Sequence, residues 1–209
     1  MEFAMSATAK RAYQTELDEL LRANAGRTPT LMLHVCCAPC ASYVLEYLSP
    51  YFMITAYYDN PNIAPPEEYY KRLEELKRLI TLMPLQNPVR LIEGAYDPER
   101  FYSRVTGLEQ EPEGGARCSA CFELRLGETA RLAKETGCEY FASTLSISPH
   151  KDAGRLGAIG DALASRYGVA HLPSDFKKRG GYQRSTQLCA QYGIYRQSFC
   201  GCAFSLTAR

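Results

Sequence analysis

Residues 31–40 read Leu31-Met32-Leu33-His34-Val35-Cys36-Cys37-Ala38-Pro39-Cys40 and set the architecture expected for the rest of the chain. The short apolar run Leu31–Val35, bounded by polar residues, predicts a buried strand in which His34 is a core histidine. Cysteines follow at the carboxyl end of that strand. In parallel α/β sheets, ligand sites lie beyond the carboxyl ends of the strands. These cysteines are therefore expected at a ligand site.

Similar patterns continue along the chain. Amphipathic stretches with capping or proline signals predict helices at Thr8–Ala23, Ser42–Leu48, Pro66–Met83, Asp97–Val105, Cys118–Thr136 and Ala153–Tyr167. Short apolar runs predict further strands at Phe52–Tyr58, Val89–Ile92, Tyr140–Thr144 and Val169–Leu172. Strands that alternate with helices predict an α/β fold with a mainly parallel sheet and helices on both faces. The polar chain beyond Ser174 matches neither pattern, so no element is predicted there.

Length and composition favour a single α/β domain over residues 5–209. The chain has 209 residues, of which 46% are hydrophobic and 22% charged, and these values are ordinary for a globular domain with one sizeable core. Met1–Ala4 read as a vector remnant ahead of a natural start at Met5. No apolar run is long enough to cross a bilayer and no signal peptide is recognisable. We therefore expect a cytoplasmic protein without a membrane partner.

The nine cysteines are the most unusual feature of the composition. The cytosol keeps thiols reduced, a chain of this length folds without disulfides, and an odd number of thiols cannot all pair within one molecule. Metal binding or thiol redox chemistry is therefore the better explanation for them.

Seven of the cysteines fall into three groups: Cys36, Cys37 and Cys40; Cys118 and Cys121; Cys200 and Cys202. Thiols at the junction of a strand and a helix gain acidity from the helix N-terminus, and positions three apart at a helix start share a face. Gly201 permits a close backbone approach to a metal. A 4Fe–4S cluster takes four thiolates, which leaves three sulfurs for a second metal with an open coordination position.

Two alternatives fit part of the same pattern. Two separated C-x-x-C pairs match a structural zinc site loosely, and Cys37-Ala38-Pro39-Cys40 after a strand resembles a thioredoxin-type dithiol. Either alternative leaves the other cysteines unexplained. Cys138 and Cys189 stand apart, and we interpret both as structural residues.

Polar residues also follow two other predicted strands. Asp59 and Asn60 close the second strand and either point into the same crevice as Cys36 or serve only as turn residues. Lys151 lies in a hydroxyl-rich stretch after a later strand, where it either binds a phosphate or polar substrate or belongs to a loop that caps the next helix. No phosphate-binding loop of the G-x-x-x-x-G-K-[ST] kind is present, which argues against nucleotide hydrolysis.

The charge distribution favours contact with RNA in the last third of the chain. The net charge is only +1, but residues 151–209 hold nine Lys/Arg and three Asp, whereas residues 1–150 hold fifteen basic and twenty acidic residues. Basic residues mixed with aromatic ones suit an RNA loop, whose phosphates bind cations and whose bases stack on rings. The candidate residues are Lys177, Lys178, Arg179, Tyr195 and Arg196. An ordinary solvated face is the alternative.

Several segments together resemble the cobalamin-independent epoxyqueuosine reductases (QueH). The segments are His34–Pro39, Tyr58–Ile63, Arg117-Cys118-x-x-Cys121 with Arg125-Leu126, Thr144-Leu145 with Ser148-Pro149-x-Lys151, Asp175–Lys178, and Tyr195-Arg196-Gln197-x-Phe199-Cys200-Gly201-Cys202. They occur in order from about residue 31 to residue 202. Such a series is far more specific than any single C-x-x-C pair.

The resemblance implies a Rossmann-like, HUP-type three-layer fold whose C-terminal segment binds metal. It implies reduction of epoxyqueuosine in the tRNA anticodon loop to queuosine, with electrons from an external one-electron donor. It also implies a 4Fe–4S cluster and a neighbouring metal ion, expected to be iron. By position the cluster ligands would be Cys36, Cys118, Cys121 and Cys200, and the second metal would take Cys37, Cys40 and Cys202.

The same resemblance predicts roles for further residues. Cys37, Cys40, Cys202 and Asp59 form the expected catalytic set, with Asp59 and nearby tyrosines as candidate proton donors. Members of the family can carry Asp where this chain has Cys40, and the additional soft ligand favours zinc or a reduced metal. Asn60, Lys151, Lys177, Lys178, Arg179, Tyr195 and Arg196 are the residues expected to bind the substrate tRNA.

Overall fold

The computed structural model describes residues 11–206, so the expected vector remnant Met1–Ala4 lies outside the described residues. Five strands form one sheet: β1 (Thr30–His34), β2 (Met53–Tyr58), β3 (Arg90–Glu93), β4 (Tyr140–Ser143) and β5 (Ala170–His171). The strand order is β3-β2-β1-β4-β5, and every pair is parallel. This order is that of a Rossmann-like sheet and confirms the predicted α/β fold.

Helices cover both faces of the sheet. They are α1 (Tyr13–Ala23), α2 (Ala38–Leu48), α3 (Pro66–Leu82), α4 (Pro98–Val105), α5 (Ala116–Glu135), α6 (Ala153–Tyr167), α7 (Gly181–Gln191) and α8 (Ala203–Leu206). Side chains of β1 alternate between two buried clusters: Leu31 and Leu33 pack with residues of α1, α2 and α3, and Met32 packs with residues of α5 and α6. Burial on both faces explains why β1 is almost entirely apolar.

Two differences from the predicted elements matter for function. Helix α2 begins at Ala38 and not at Ser42, because Pro39 fits the first turn, where its missing N–H costs nothing. Cys40 therefore lies inside the helix. Helix α7 was not predicted: its buried residues are Gly181, Ser185, Leu188 and Cys189, which form too weak an apolar stripe to be recognised.

The carboxyl ends of β1 and β4 create the crevice that holds the site. These strands are neighbours at the point where the strand order reverses, so the chain segments that follow them diverge. Cys36 follows β1 and Thr144 follows β4, and the Thr144 hydroxyl accepts a hydrogen bond from the Cys36 amide at 3.3 Å. Within the described part of the chain, no helix is both long and apolar enough to span a membrane.

Candidate metal centre

The first cysteine group forms a compact cluster of sulfur atoms. Cys36 lies between β1 and α2, Cys37 is the extended N-cap residue of α2, and Cys40 lies in its first turn. Their three sulfurs all lie within 4.8 Å of one another, and those of Cys36 and Cys37 are 3.7 Å apart. Among residues 11–206, these are the three His, Cys, Asp or Glu side chains placed closely enough to share one metal ion.

The three thiols of this cluster differ in acidity. Hydrogen bonds from Cys37 and Cys40 lower the pKa of Cys36, and Arg125 adds to the effect against the cost of burial. Donation to Cys36 raises the pKa of Cys37 to about 12 and raises that of Cys40 as well. The cluster therefore holds one thiolate easily, and further ionisation requires a cation or metal among the sulfurs.

The second group lies along one face of α5. Cys118 accepts a hydrogen bond from the Gly114 amide at 3.2 Å, and Cys121 follows one turn later. Burial raises the pKa of the Cys121 thiol. Arg125 comes one further turn along the same face, with its Nη1 3.9 Å from the Cys121 sulfur.

The third group is held by its backbone. Arg72, a buried residue of α3, donates to the carbonyl of Cys200 at 3.1 Å and to that of Phe199 at 3.4 Å. Gly201 has φ +115°, and its carbonyl accepts a hydrogen bond from the Ala64 amide at 2.8 Å. A hydrogen bond from the Cys202 thiol, aided by Lys151 and Arg125, lowers the pKa of Cys200 to about 5.

Arg125 is a cation of α5 that contacts a cysteine sulfur: its buried guanidinium lies 3.9 Å from the Cys121 sulfur and lines one cavity with Cys36 and Cys200. Burial disfavours the charge on this guanidinium, whereas thiolates at Cys121, Cys36 and Cys200 favour it and raise its pKa. Cys118 acts electrostatically on Cys121. Cys202 packs with Cys121 in a small apolar cluster and does not line the cavity described next.

A basic cavity of about 270 Å³ opens beside these sulfurs. Its walls include Cys36, Cys37, Cys40 and Cys200, the cationic residues Arg72, Arg125, Lys151 and Arg196, and the single carboxylate of Glu113. Lys151 Nζ lies 3.4 Å from the Cys200 sulfur and 3.2 Å from Glu113. Burial alone would lower the pKa of Lys151, but the charges on Cys200 and Glu113 raise it. The cavity therefore offers both soft donors and positive charge.

Asp59 and Asn60 lie behind the cavity wall and do not line it. The fully buried Asp59 carboxylate pairs with Arg100 at 3.0 Å; burial raises its pKa, and Arg100 opposes that shift. Asn60 donates to the Val35 carbonyl at 2.9 Å and accepts from Arg125 at 2.5 Å. Both side chains thus have structural partners, and their predicted catalytic and substrate-binding roles stay predictions.

The residues predicted to bind RNA divide into two sets. Lys151 and Arg196 line the cavity. Outside it, Lys177 binds Asp175, Arg179 pairs with Asp18, Tyr195 stacks under Lys71, and Lys178 is exposed. Part of the positive charge of the last third of the chain is therefore already paired within the protein.

Three residues of the site were missed from the sequence. Arg125 follows Cys118 and Cys121 at helical spacing, so the α5 periodicity was a usable signal. Gln197 donates to the Cys37 sulfur at 2.9 Å, and its nearness in sequence to Cys200 was a weaker signal. Arg72 lies 128 positions before its partner Cys200, and no local pattern indicates that contact.

Fold and site together define an α/β protein with a thiol-lined, basic cavity at the switch point of a parallel sheet, an arrangement suited to metal or redox chemistry. The comparisons with known proteins identify the family. The family model described as Epoxyqueuosine reductase QueH matches residues 31–208. The chain belongs to the QueH family and is an oxidoreductase.

Individual relatives match over most of their length. The Epoxyqueuosine reductase QueH of Streptococcus pyogenes is 45% identical over 179 residues, which cover 85% of this chain and 70% of the relative. Its counterpart in Staphylococcus epidermidis is 43% identical over 184 residues, or 86% and 77% of the two chains. The protein of the same name in Thermotoga maritima is 36% identical over 186 residues, or 86% and 92%. The resemblance stated from the sequence is thereby confirmed.

Proposed function

We propose that this protein reduces epoxyqueuosine in tRNA to queuosine, using a 4Fe–4S cluster and an adjacent metal ion. Family membership supports the reductase activity. The observation that carries the cofactor proposal is that the buried guanidinium of Arg125 contacts Cys121 and lines one cavity with cysteines of the other two groups.

The residues present fit an iron–sulfur group. Thiolates are the ligands that such clusters take, and the site offers seven thiols with Arg125 and Lys151 to offset their charge. We assign Cys36, Cys118, Cys121 and Cys200 to the cluster, and Cys37, Cys40 and Cys202 to the second metal, expected to be iron. The four thiolates of a 4Fe–4S cluster bind different irons. Their sulfurs can therefore lie farther apart than sulfurs that bind a single metal ion.

The cavity is the proposed binding site for the modified base of the anticodon loop. Lys151 and Arg196 supply positive charge for phosphate or hydroxyl groups, and the half-exposed ring of Tyr182 offers a surface for stacking. Gln197 lines the same cavity, and its buried Oε1 has no hydrogen-bond partner among the described residues. Lys177, Lys178, Arg179 and Tyr195 would then act outside the cavity, on the rest of the tRNA.

Conversion of the epoxide to the cyclopentene removes one oxygen as water and consumes two electrons and two protons. When bound, the iron centre would supply electrons singly and act as a Lewis acid. The protein's own residues hold the base beside Cys37 and Cys200 and limit the access of bulk water. An external one-electron donor must supply the two electrons consumed in each turnover. Because the proposed substrate is tRNA, we place the reaction in the cytoplasm.

An anaerobic count of iron, acid-labile sulfide and zinc, followed by an assay on epoxyqueuosine-containing tRNA, tests the proposal. We expect brown protein that contains iron and sulfide and forms queuosine when a low-potential reductant is added. Colourless protein that contains only zinc and binds tRNA without turnover would support a zinc-stabilised RNA-binding module. Metal-free protein that reduces disulfides would support a dithiol oxidoreductase, and either result would overturn the proposal.

A further inference from the structure

Arg125 is a buried cation without a carboxylate partner. Its side chain is 3% exposed, and no Asp or Glu among residues 11–206 accepts a hydrogen bond from it. Its three polar contacts are Asn60 Oδ1 at 2.5 Å, His34 Nε2 at 3.3 Å and the Cys121 sulfur at 3.9 Å. Buried charges are normally paired, because an unpaired ion in a protein interior is strongly destabilising. The location of its counter-charge is therefore informative.

Of the other two buried arginines among residues 11–206, one pairs with a carboxylate and the other donates to backbone carbonyls. Arg72 pairs with Glu68 at 2.7 Å. Arg117, eight positions before Arg125 on α5, donates to three backbone carbonyls and lies over the ring of Phe204. Arg125 differs because its neighbours include cysteine sulfurs: Nη1 lies 3.9 Å from that of Cys121, and Arg125 lines one cavity with Cys36 and Cys200, whose thiolates also act on its charge.

The contacts behind Arg125 fix its direction. The amide of Asn60 is itself anchored, since its Nδ2 donates to the Val35 carbonyl at 2.9 Å. His34 is buried, with its Nδ1 2.8 Å from the Ser143 hydroxyl and its Nε2 3.3 Å from both the Asp59 carbonyl and Nε of Arg125. The Asn60 carbonyl oxygen and the neutral His34 ring thus lie against Nη2 and Nε of the guanidinium, and Nη1 faces the Cys121 sulfur.

We propose that Arg125 is a positioning residue that holds sulfur ligands of all three cysteine groups around one positive charge and raises the reduction potential of the iron–sulfur centre. This inference rests on the function proposed above. Each electron that enters the centre makes it more negative, and a nearby buried cation stabilises the reduced form most. Net charge and hydrogen bonds to the sulfurs are the established determinants of cluster potential.

The test compares the midpoint potential of three variants with that of the native protein after anaerobic reconstitution. Arg125→Gln removes the charge but keeps an amide donor, and Arg125→Lys keeps the charge but loses the planar fork. Arg131→Gln is the matched control, because Arg131 lies on the outer side of α5 and pairs with Glu128 and Glu135. Iron and sulfide content and the melting temperature of the iron-free protein are measured for each.

We expect a more negative midpoint for Arg125→Gln, a smaller shift for Arg125→Lys and none for Arg131→Gln. An unchanged midpoint in Arg125→Gln at full iron and sulfide content would overturn the inference. If Arg125→Gln binds no cluster but its iron-free form keeps the native melting temperature, Arg125 acts in positioning the cluster ligands, as proposed. If that melting temperature is lowered, Arg125 has a structural role only and the inference is overturned. A native protein that takes up no iron and sulfide would instead refute the proposed function.

Discussion

The side-chain amide of Gln197 donates to the sulfur of Cys37 at 2.9 Å, although 160 positions separate the two residues. This contact joins the C-terminal segment to the N-terminus of α2 and places a donor on a predicted ligand of the second metal. It also leaves the Gln197 carbonyl oxygen buried and unpartnered among the described residues. Gln197 therefore both orients the sulfur of Cys37 and lines the proposed substrate cavity.

Replacement of Gln197 by Glu should slow queuosine formation by about 10-fold to 100-fold. The carboxylate cannot donate to Cys37, and a hydrogen bond to a charged group contributes about 1.5–3 kcal/mol. The assay is nucleoside analysis of tRNA after single and multiple turnovers. Gln187→Glu, at an exposed position of α7, adds the same charge outside the site and should leave turnover unchanged. Turnover of Gln197→Glu within twofold of native would contradict the expected role.

Cysteine substitutions test the proposed division of ligands. Cys37→Ser and Cys202→Ser should abolish turnover but retain the visible absorption of the cluster, because both are assigned to the second metal. Cys36→Ser, Cys118→Ser, Cys121→Ser and Cys200→Ser should lose that absorption. Cys138→Ser serves as the control, since this half-buried thiol lies outside the three groups. Loss of colour in Cys37→Ser or Cys202→Ser would show that the division is wrong.

Gly201→Ala should displace the segment that carries Cys200 and Cys202. A Cβ atom at this position would lie 2.9 Å from Nη1 of Arg72 and 3.1 Å from Cγ1 of Ile63, and the φ of +115° disfavours any side chain. We expect a loss of about 2 kcal/mol in unfolding free energy and reduced iron uptake.

Gly193→Ala is the matched control for Gly201→Ala. Gly193 also has positive φ, +59°, but an added Cβ would meet no atom within 4 Å. Its substitution should cost about 1 kcal/mol, the strain of a left-handed backbone alone, and leave iron uptake unchanged. Equal iron uptake in the two variants would rule out a specific role for the close backbone approach at Gly201.

The free energy of unfolding of the iron-free protein should decrease as the pH is lowered, because of His34. Burial, with a contribution from the charge of Arg125, lowers the pKa of His34 to about 3, whereas an unfolded histidine has a pKa near 6.5. Below pH 6.5 the unfolded state binds a proton that the folded state does not. The His34 contribution is therefore fully present above pH 6.5 and is lost as pH falls toward 3.

Urea unfolding at pH 6.5 and pH 5.0 measures this effect. Between these two values, the native protein should lose about 1.5 kcal/mol more than His34→Gln. His150→Gln, at an exposed histidine, should retain the native pH dependence. Equal pH dependence in native protein and His34→Gln would refute the assignment of this loss to His34.

Arg196→Gln should weaken tRNA binding with little effect on iron content. Arg196 lines the cavity, is exposed, and donates a hydrogen bond to the Tyr182 hydroxyl at 3.4 Å. Removal of one phosphate contact should lower the slope of log affinity against log salt by about 0.7–1. Lys134→Gln is the control, because Lys134 lies near the far end of α5, about 24 Å along the helix from Cys118. An equal loss of affinity in both variants would indicate only a general charge effect.

Local sequence patterns were sufficient for most of the fold and for the list of cysteines. Two examples are the apolar run at Leu31–Val35 and the helical periodicity after Cys118. Each depends only on residues a few positions apart, so each can be recognised without the structure. The start of α2 and the existence of α7 were not predicted. Pro39 tolerates the first helical turn, and the buried side of α7 consists largely of small residues that gain their burial from other elements.

The sequence by itself determined that this chain forms an α/β sheet and that its cysteines fall into three groups of the QueH pattern. Tertiary structure alone decided that Arg125 lines one cavity with Cys36 and Cys200, that Arg72 supports Cys200, and that Asp59 pairs with Arg100 behind the cavity. The physical reason is the distance along the sequence over which each kind of interaction acts. Helix and strand signals arise from adjacent residues, whereas the site depends on where packed elements bring together distant side chains, such as Asp59 with Arg100, 41 positions apart, and Arg72 with Cys200, 128 positions apart.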